Sequence, residues 1–290
     1  MMTRMTLRRT GAAIAACALL APSAALAHTA SELKPGFNVF SLQQDVEIGR
    51  QSAVEAERQL PILQDRYAES YVNQLISTLA AGIQGSRFPF QARIVNSNEI
   101  NAFALPGGFM YVNRGLIQSA RTEGELAGVL AHEMSHVVLR HGTHNASRAY
   151  VAQAGLGVLG QVLSGGRRSS GSAQAINVIG GLGLNALFLK YSRDAESQAD
   201  SLGAQLMAHA GYDPMEMANF FDLLRQQERS NPGGAAKFFS DHPAPADRAS
   251  HIRSEAVAVR RPRNSGQLPE VQAELQRYSQ QTRTARRRAW

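Results

Sequence analysis

Apolar residues recur at helical spacing through residues 123–140, where Leu126, Val129, Leu130, Met134, Val137 and Val138 form one stripe. Thr122, followed three residues later by Glu125, reads as a capping box that opens this helix, and Gly142 reads as its stop. Upstream the period shortens. Residues 93–96, 100–105 and 109–112 read as three short strands, with Pro106-Gly107-Gly108 as the turn between the last two. Residues 151–190 carry a different pattern, rich in Gly and Ala. Leu156, Val158, Leu159, Val162 and Leu163 precede a Ser/Gly/Arg patch, and a second apolar series runs from Ile176 to Leu189. Two apolar helices joined by a loop fit it, packed beneath the 123–140 helix or acting as a lid or membrane-touching flap. The fold class this predicts is α+β, mainly helical, with a small sheet beside the 123–140 helix. No internal repeat is visible.

Inside that helix stands His132-Glu133-Met134-Ser135-His136. Positions i and i+4 share a helix face, so both imidazoles can reach one metal ion. Glu133, one residue round, can reach a water beside that metal without being a ligand. A Lewis acid with two imidazoles and an adjacent base is the equipment of a zinc hydrolase. A third protein ligand is expected. A downstream histidine after a glycine turn is not met, because Leu139 stands where the glycine would be and His141 and His144 fall at other offsets. Glu196, in the stretch Tyr191–Asp200, is the better candidate. Asp200 follows one turn later on the same face and could accept a hydrogen bond from a ligand histidine. Read alone, that stretch favours a charged, solvated helix face; read with the histidine pair, it favours the ligand. His242 and Arg248 share a loop that could donate to a developing oxyanion, or His242 could fill a fourth coordination position at rest. The strand segment Asn101, Ala102, Phe103, Ala104 and Leu105 offers an edge to which an extended peptide can add by main-chain hydrogen bonds.

These four motifs, in this order, resemble the zinc metallopeptidase family of HtpX and the CAAX prenyl proteases, in its soluble periplasmic BepA/LoiP-like branch. The resemblance covers roughly residues 40–255 and implies a zincin-type fold. It also implies zinc ligands His132, His136 and Glu196, Glu133 as the base, and a catalytic or regulatory role for His242 and Arg248. No clear tetratricopeptide domain follows the matching region.

Composition and charge then narrow the setting. Arg4, Arg8 and Arg9 precede the apolar run 12–20, and Ala25-Leu26-Ala27 is a small-x-small cleavage pattern, so residues 1–27 read as a signal peptide and the mature chain as periplasmic. The alternative is an outer-membrane lipoprotein anchored through Cys17, the chain's one cysteine. Residues 28–259 then form the metallopeptidase domain and 260–290 a basic tail, helical or disordered. The formal charge of +7 sits mostly at the two ends. Residues 1–27 hold three arginines and no acid, and residues 260–290 hold eight arginines against Glu270 and Glu274. That tail could attract an anionic membrane surface. Basic residues are not interleaved with aromatic ones, so nucleic acid is not expected as a partner. The expected substrates are unfolded or misassembled envelope proteins, with outer-membrane assembly machinery as a possible contact. The competing reading is a zinc-containing periplasmic chaperone or assembly factor with gated or little proteolysis.

Overall fold

The computed structural model describes residues 33, 35–83, 88–164, 191–230, 235–242, 248–256 and 262–288. The expected signal peptide, Cys17 and the second apolar series of 151–190 lie outside the described residues. Two helices open the fold: α1 (Leu42–Gln59), closed at its start by a Ser41/Gln44 capping box, and α2 (Arg66–Ala80). Strands β1 (Gln91–Val95), β2 (Ala102–Leu105) and β3 (Phe109–Asn113) follow. They lie in the order β1-β3-β2, with β1 parallel and β2 antiparallel to β3. The sheet therefore leaves β2 as an edge, on the side packed against the central helix. The Pro106–Gly108 turn pairs Leu105 with Phe109. Gly107 sits at φ 78, where a Cβ would be strained and would also meet the Val46 Cα at 2.6 Å, so this turn and α1 pack backbone to backbone.

Short α3 (Arg114–Ser119) separates the sheet from α4 (Glu123–Val138), which carries the His-Glu-Met-Ser-His motif. An amphipathic stripe was expected; instead every residue from Glu123 to Val137 is buried, as befits a helix enclosed on all sides. Its start is half a capping box. Thr122 accepts from the Glu125 amide, but the Glu125 carboxylate takes the Arg121 amide, one residue earlier than the box requires. Its end corrects the sequence reading more sharply. Gly142 does not stop the helix. Arg140 does, at φ 58, a left-handed conformation that costs a non-glycine residue about 1–2 kcal/mol. Long-range contacts hold it there: Arg140 Nε donates to Asp45 Oδ2 at 2.5 Å and Nη2 to the Phe40 carbonyl at 2.5 Å. Gly142 falls inside α5 (His141–Ser164), which takes in the first apolar series of 151–190.

Helices α6 (Arg193–Ala210) and α7 (Pro214–Ser230) pack on α4, with α6 its principal neighbour; short α8 (Ala236–Asp241) follows, and α9 (Arg248–Glu255) packs on α7 and α6. Finally α10 (Leu268–Arg288) returns to the body. Leu268, Val271 and Leu275, spaced along one face, are buried in the main core, and Gln272 Nε2 donates to the Ile117 and Ala120 carbonyls. Within the segment read as a basic tail, Leu268–Arg288 is helical, and the start of that helix belongs to the fold. No helix among the described residues is long and apolar enough to cross a membrane.

Glu123, the first residue of α4, ties this return to the centre. Its buried carboxylate accepts from Tyr71 Oη at 3.1 Å, Tyr212 Oη at 3.0 Å, the Ser265 amide at 3.0 Å and the Ser265 hydroxyl. Burial, then the charge of Glu123, pushes both tyrosines up, so they remain donors. Glu123→Ala strands those buried donors and is expected to cost at least about 1–3 kcal/mol. The check is the urea midpoint at unchanged m-value; a parent-like midpoint would refute the anchor.

Candidate metal centre

Helix α4 presents His132 and His136 one turn apart, and the Gly203 face of α6 lies close enough to put Glu196 opposite them. Ser192 caps α6, accepting from the Ala195 amide at 3.1 Å, which fixes the turn that carries Glu196. The end of α8 supplies His242. Ligand atoms of His132, His136, Glu196 and His242 all lie within 4.8 Å of one another, and all four residues are buried. His132 Nε2 stands 3.0 Å from His136 Nε2, 3.3 Å from His242 Nδ1 and 3.4 Å from Glu196 Oε2. His242 Nδ1 is 3.2 Å from Glu196 Oε1, and its Nε2 is 3.3 Å from Glu133 Oε1.

Around this cluster runs a second layer. His132 Nδ1 lies 3.0 Å from Asp200 Oδ1. Arg248 grips Asp200 with two donors at 2.7 Å, stacks over Phe221 at 3.9 Å, and brings Nη1 to 3.4 Å from Glu196 Oε2. Its Nη2 is 2.9 Å from both ring nitrogens of His132. Being equidistant, it is aligned with neither lone pair, and Asp200 is the partner for the Nδ1 proton. On the other side His136 Nδ1 meets His141 Nδ1 at 2.9 Å, and Tyr191 stacks on the His136 ring at 4.0 Å.

The electrostatics divide the two central carboxylates. Burial raises Glu133, with His242 and His132 opposing. Burial would also raise Glu196, but His242, His132 and His136 outweigh it and hold the group well below the usual range. Two carboxyls pushed apart in this way suit a proton carrier beside a permanently ionised ligand. Burial pushes His136 well below an ordinary histidine and His141 down to about 4. For His242 burial pulls down, yet Glu133 and Glu196 prevail and raise it to about 9.

A cation fits this donor set. Three imidazoles and a carboxylate converge in a buried space, while Glu133 Oε1, Glu196 Oε2 and Arg248 Nη1 have no hydrogen-bond partner there. Buried polar atoms in that state normally signal a missing partner. Three nitrogens and a carboxylate oxygen are donors that suit zinc.

Of the residues expected from sequence, the structure gathers His132, Glu133, His136, Glu196, Asp200, His242 and Arg248 into one centre. The edge segment comes in only partly. Ala104 and Leu105 line a pocket with His136 and Tyr191, whereas Phe103 stacks on Tyr111 and Asn101 is held by the Asn113 amide. The Arg248 guanidinium faces Asp200, Glu196 and the His132 ring. Sequence reasoning missed Tyr191, Gln198 and Phe221, and considered His141 only as a ligand. The first two sit inside the Tyr191–Asp200 motif, where their alternation with Glu196 was the available signal.

A helix-borne histidine pair with an adjacent glutamate, facing a glutamate from a second helix, defines a metallopeptidase-type centre. Comparison with known proteins agrees. The model of peptidase family M48 matches residues 64–256, and the chain belongs to that family. It is 33% identical to the beta-barrel assembly-enhancing protease of Yersinia pestis over 225 residues, 74% of this chain and 44% of that one. It is 31% identical to the metalloprotease LoiP of Escherichia coli K12 over 193 residues, covering 63% and 69% of the two chains. Against the mitochondrial metalloendopeptidase OMA1 of Schizosaccharomyces pombe the identity is 30% over 189 residues, 63% and 51% of the chains. The chain thus spans about half the length of the first relatives it matches.

Proposed function

We propose that this chain is a zinc endopeptidase that hydrolyses peptide bonds in unfolded or misassembled envelope proteins. The observation that carries the reading is the buried convergence of His132, His136 and Glu196, with Glu133 Oε1 lacking a hydrogen-bond partner beside them. His132, His136 and Glu196 would hold the metal, with Asp200 orienting His132. Zinc bound there supplies a Lewis acid that polarises the scissile carbonyl and brings the pKa of water to about 7. Glu133 takes the proton from the attacking water and returns it to the leaving amine. An extended substrate lies along β2, where main-chain pairing ignores side-chain identity, and Ala104 and Leu105 lead it past His136. Arg248 keeps Asp200 ionised and in place, and its Nη1 lies 3.4 Å from Glu196 Oε2.

The periplasmic setting rests on the signal-peptide pattern of residues 1–27 and on relatives named for β-barrel assembly. The same names support a link to outer-membrane assembly, and the arginines of 277–288 support contact with an anionic membrane surface. One observation favours a gated version of this enzyme, or a chaperone with little proteolysis. His242 is buried within the ligand cluster, where it would fill the fourth position that an active centre leaves open for substrate.

The experiment is digestion of an unfolded outer-membrane protein by the zinc-loaded chain, its chelator-treated form and His242→Ala. Cleavage that disappears with chelation and returns with zinc is expected, with His242→Ala faster than the parent if the histidine is a gate. Cleavage indifferent to chelation would overturn the zinc reading. Cleavage by neither parent nor His242→Ala would transfer the weight to the chaperone.

A further inference from the structure

Beyond the residues assigned so far, His141 has no role, although it is 5% exposed and lies against the centre. It stands five residues after His136, off that residue's helix face, and the left-handed turn at Arg140 folds it back. There its Nδ1 is 2.9 Å from His136 Nδ1, and its Nε2 is 3.2 Å from Gln198 Oε1. Gln198 lies two residues after Glu196 on α6. The order is an amide oxygen, an imidazole, then a candidate ligand imidazole.

We propose that Gln198 and His141 form a neutral relay that sets the tautomer of His136 and so makes its Nε2 available to zinc. The direction follows from counting donors and acceptors. An amide oxygen only accepts, so His141 Nε2 carries the proton. Neutral His141 then has a bare Nδ1, which can only accept, so His136 Nδ1 must donate. A neutral His136 with its proton on Nδ1 has a lone pair on Nε2, the atom 3.0 Å from His132 Nε2 and 3.6 Å from Glu196 Oε1. Reversing the chain by turning the amide leaves a proton on His136 Nε2 and blocks the ligand atom. Tyr191, stacked at 18° to the ring, fixes the remaining freedom of His136. The two ligand histidines are therefore oriented by different means. His132 has an ionised carboxylate backed by Arg248, and His136 has a neutral chain whose direction depends on one amide.

This proposal rests on the reading of the cluster as a zinc centre, and the test separates the two. Zinc affinity is measured by competition with a chromophoric chelator for the parent, Gln198→Leu, Gln198→Glu and His141→Phe. The His136 tautomer is read from two-bond proton–nitrogen correlations in the zinc-free protein. Loss of an outer partner typically weakens metal binding about 10- to 100-fold, which is the range expected for Gln198→Leu and His141→Phe. Gln198→Glu, an isosteric pure acceptor, is expected to hold zinc at least as tightly as the parent. A purely structural role predicts the opposite ranking, since a buried charge disturbs packing more than leucine does. Parent-like affinity in both Gln198→Leu and His141→Phe, or Gln198→Glu weaker than Gln198→Leu, overturns the relay. So does a zinc-free parent whose His136 carries its proton on Nε2. A parent that takes up no zinc sinks the metal reading instead, and the tautomer in that same sample still decides the relay.

Discussion

Glu133→Gln is expected to abolish measurable peptide cleavage while leaving zinc bound at the parent's affinity. The side chain is 2% exposed and next to the ligands without belonging to their cluster. Glutamine keeps its volume and one oxygen but cannot take a proton from water. A positioned general base contributes about 10²- to 10⁴-fold, so kcat/KM should fall by at least that range with KM little changed. The environment sharpens the expectation. Burial raises the Glu133 carboxyl, which brings it nearer the range in which a group both accepts and returns a proton. The assay is kcat/KM on an unfolded substrate with zinc content measured on the same sample. Activity within a few-fold of the parent would exclude Glu133 as the base, and lost zinc would make it a ligand.

How far the molecule can be read from its residues differs from one element to the next. The β2–turn–β3 unit is legible because Pro106-Gly107-Gly108 is strong local punctuation between two short apolar runs. The mainly helical class and the 123–138 helix are legible for the same local reason. The end of that helix is not. Arginine is an ordinary helix residue, and only Asp45 and Phe40, about a hundred positions away, hold Arg140 in the left-handed region. At the C-terminus the abundance of arginine left two readings open, helical or disordered. Leu268, Val271 and Leu275 carry a stripe, but its docking into the main core depends on long-range packing. Within the centre, His132, Glu133 and His136 are a local pattern, and Asp200 follows Glu196 by one turn. The partners of Arg248 and His141 depend on how α4, α6 and α9 pack, which no spacing in the chain encodes.

Glu196→Ala is the substitution that tests the architecture of the centre itself, because it should remove the metal rather than the chemistry. Glu196 is the one carboxylate among the four clustered side chains, held ionised by His242, His132 and His136 against the effect of burial. Without it, the buried histidines would face a divalent cation with no countercharge inside the cluster. Arg248 Nη1, already without a hydrogen-bond partner, would then lose the carboxylate 3.4 Å away. Zinc content after gel filtration should fall from stoichiometric to background, and peptide cleavage should vanish with it. The loss should also appear as a stability difference. A ligand present at about a thousand times its dissociation constant stabilises the folded state by roughly 4 kcal/mol. The parent's melting temperature should therefore rise with zinc and drop on chelation, whereas Glu196→Ala should respond to neither. Glu196→Gln separates charge from shape, since it keeps the volume and an oxygen donor. It should retain weak zinc binding and lie between the two, if the negative charge is what selects a divalent ion here. A Glu196→Ala protein that holds stoichiometric zinc and melts like the parent would remove Glu196 from the ligand set and leave the three histidines as the centre.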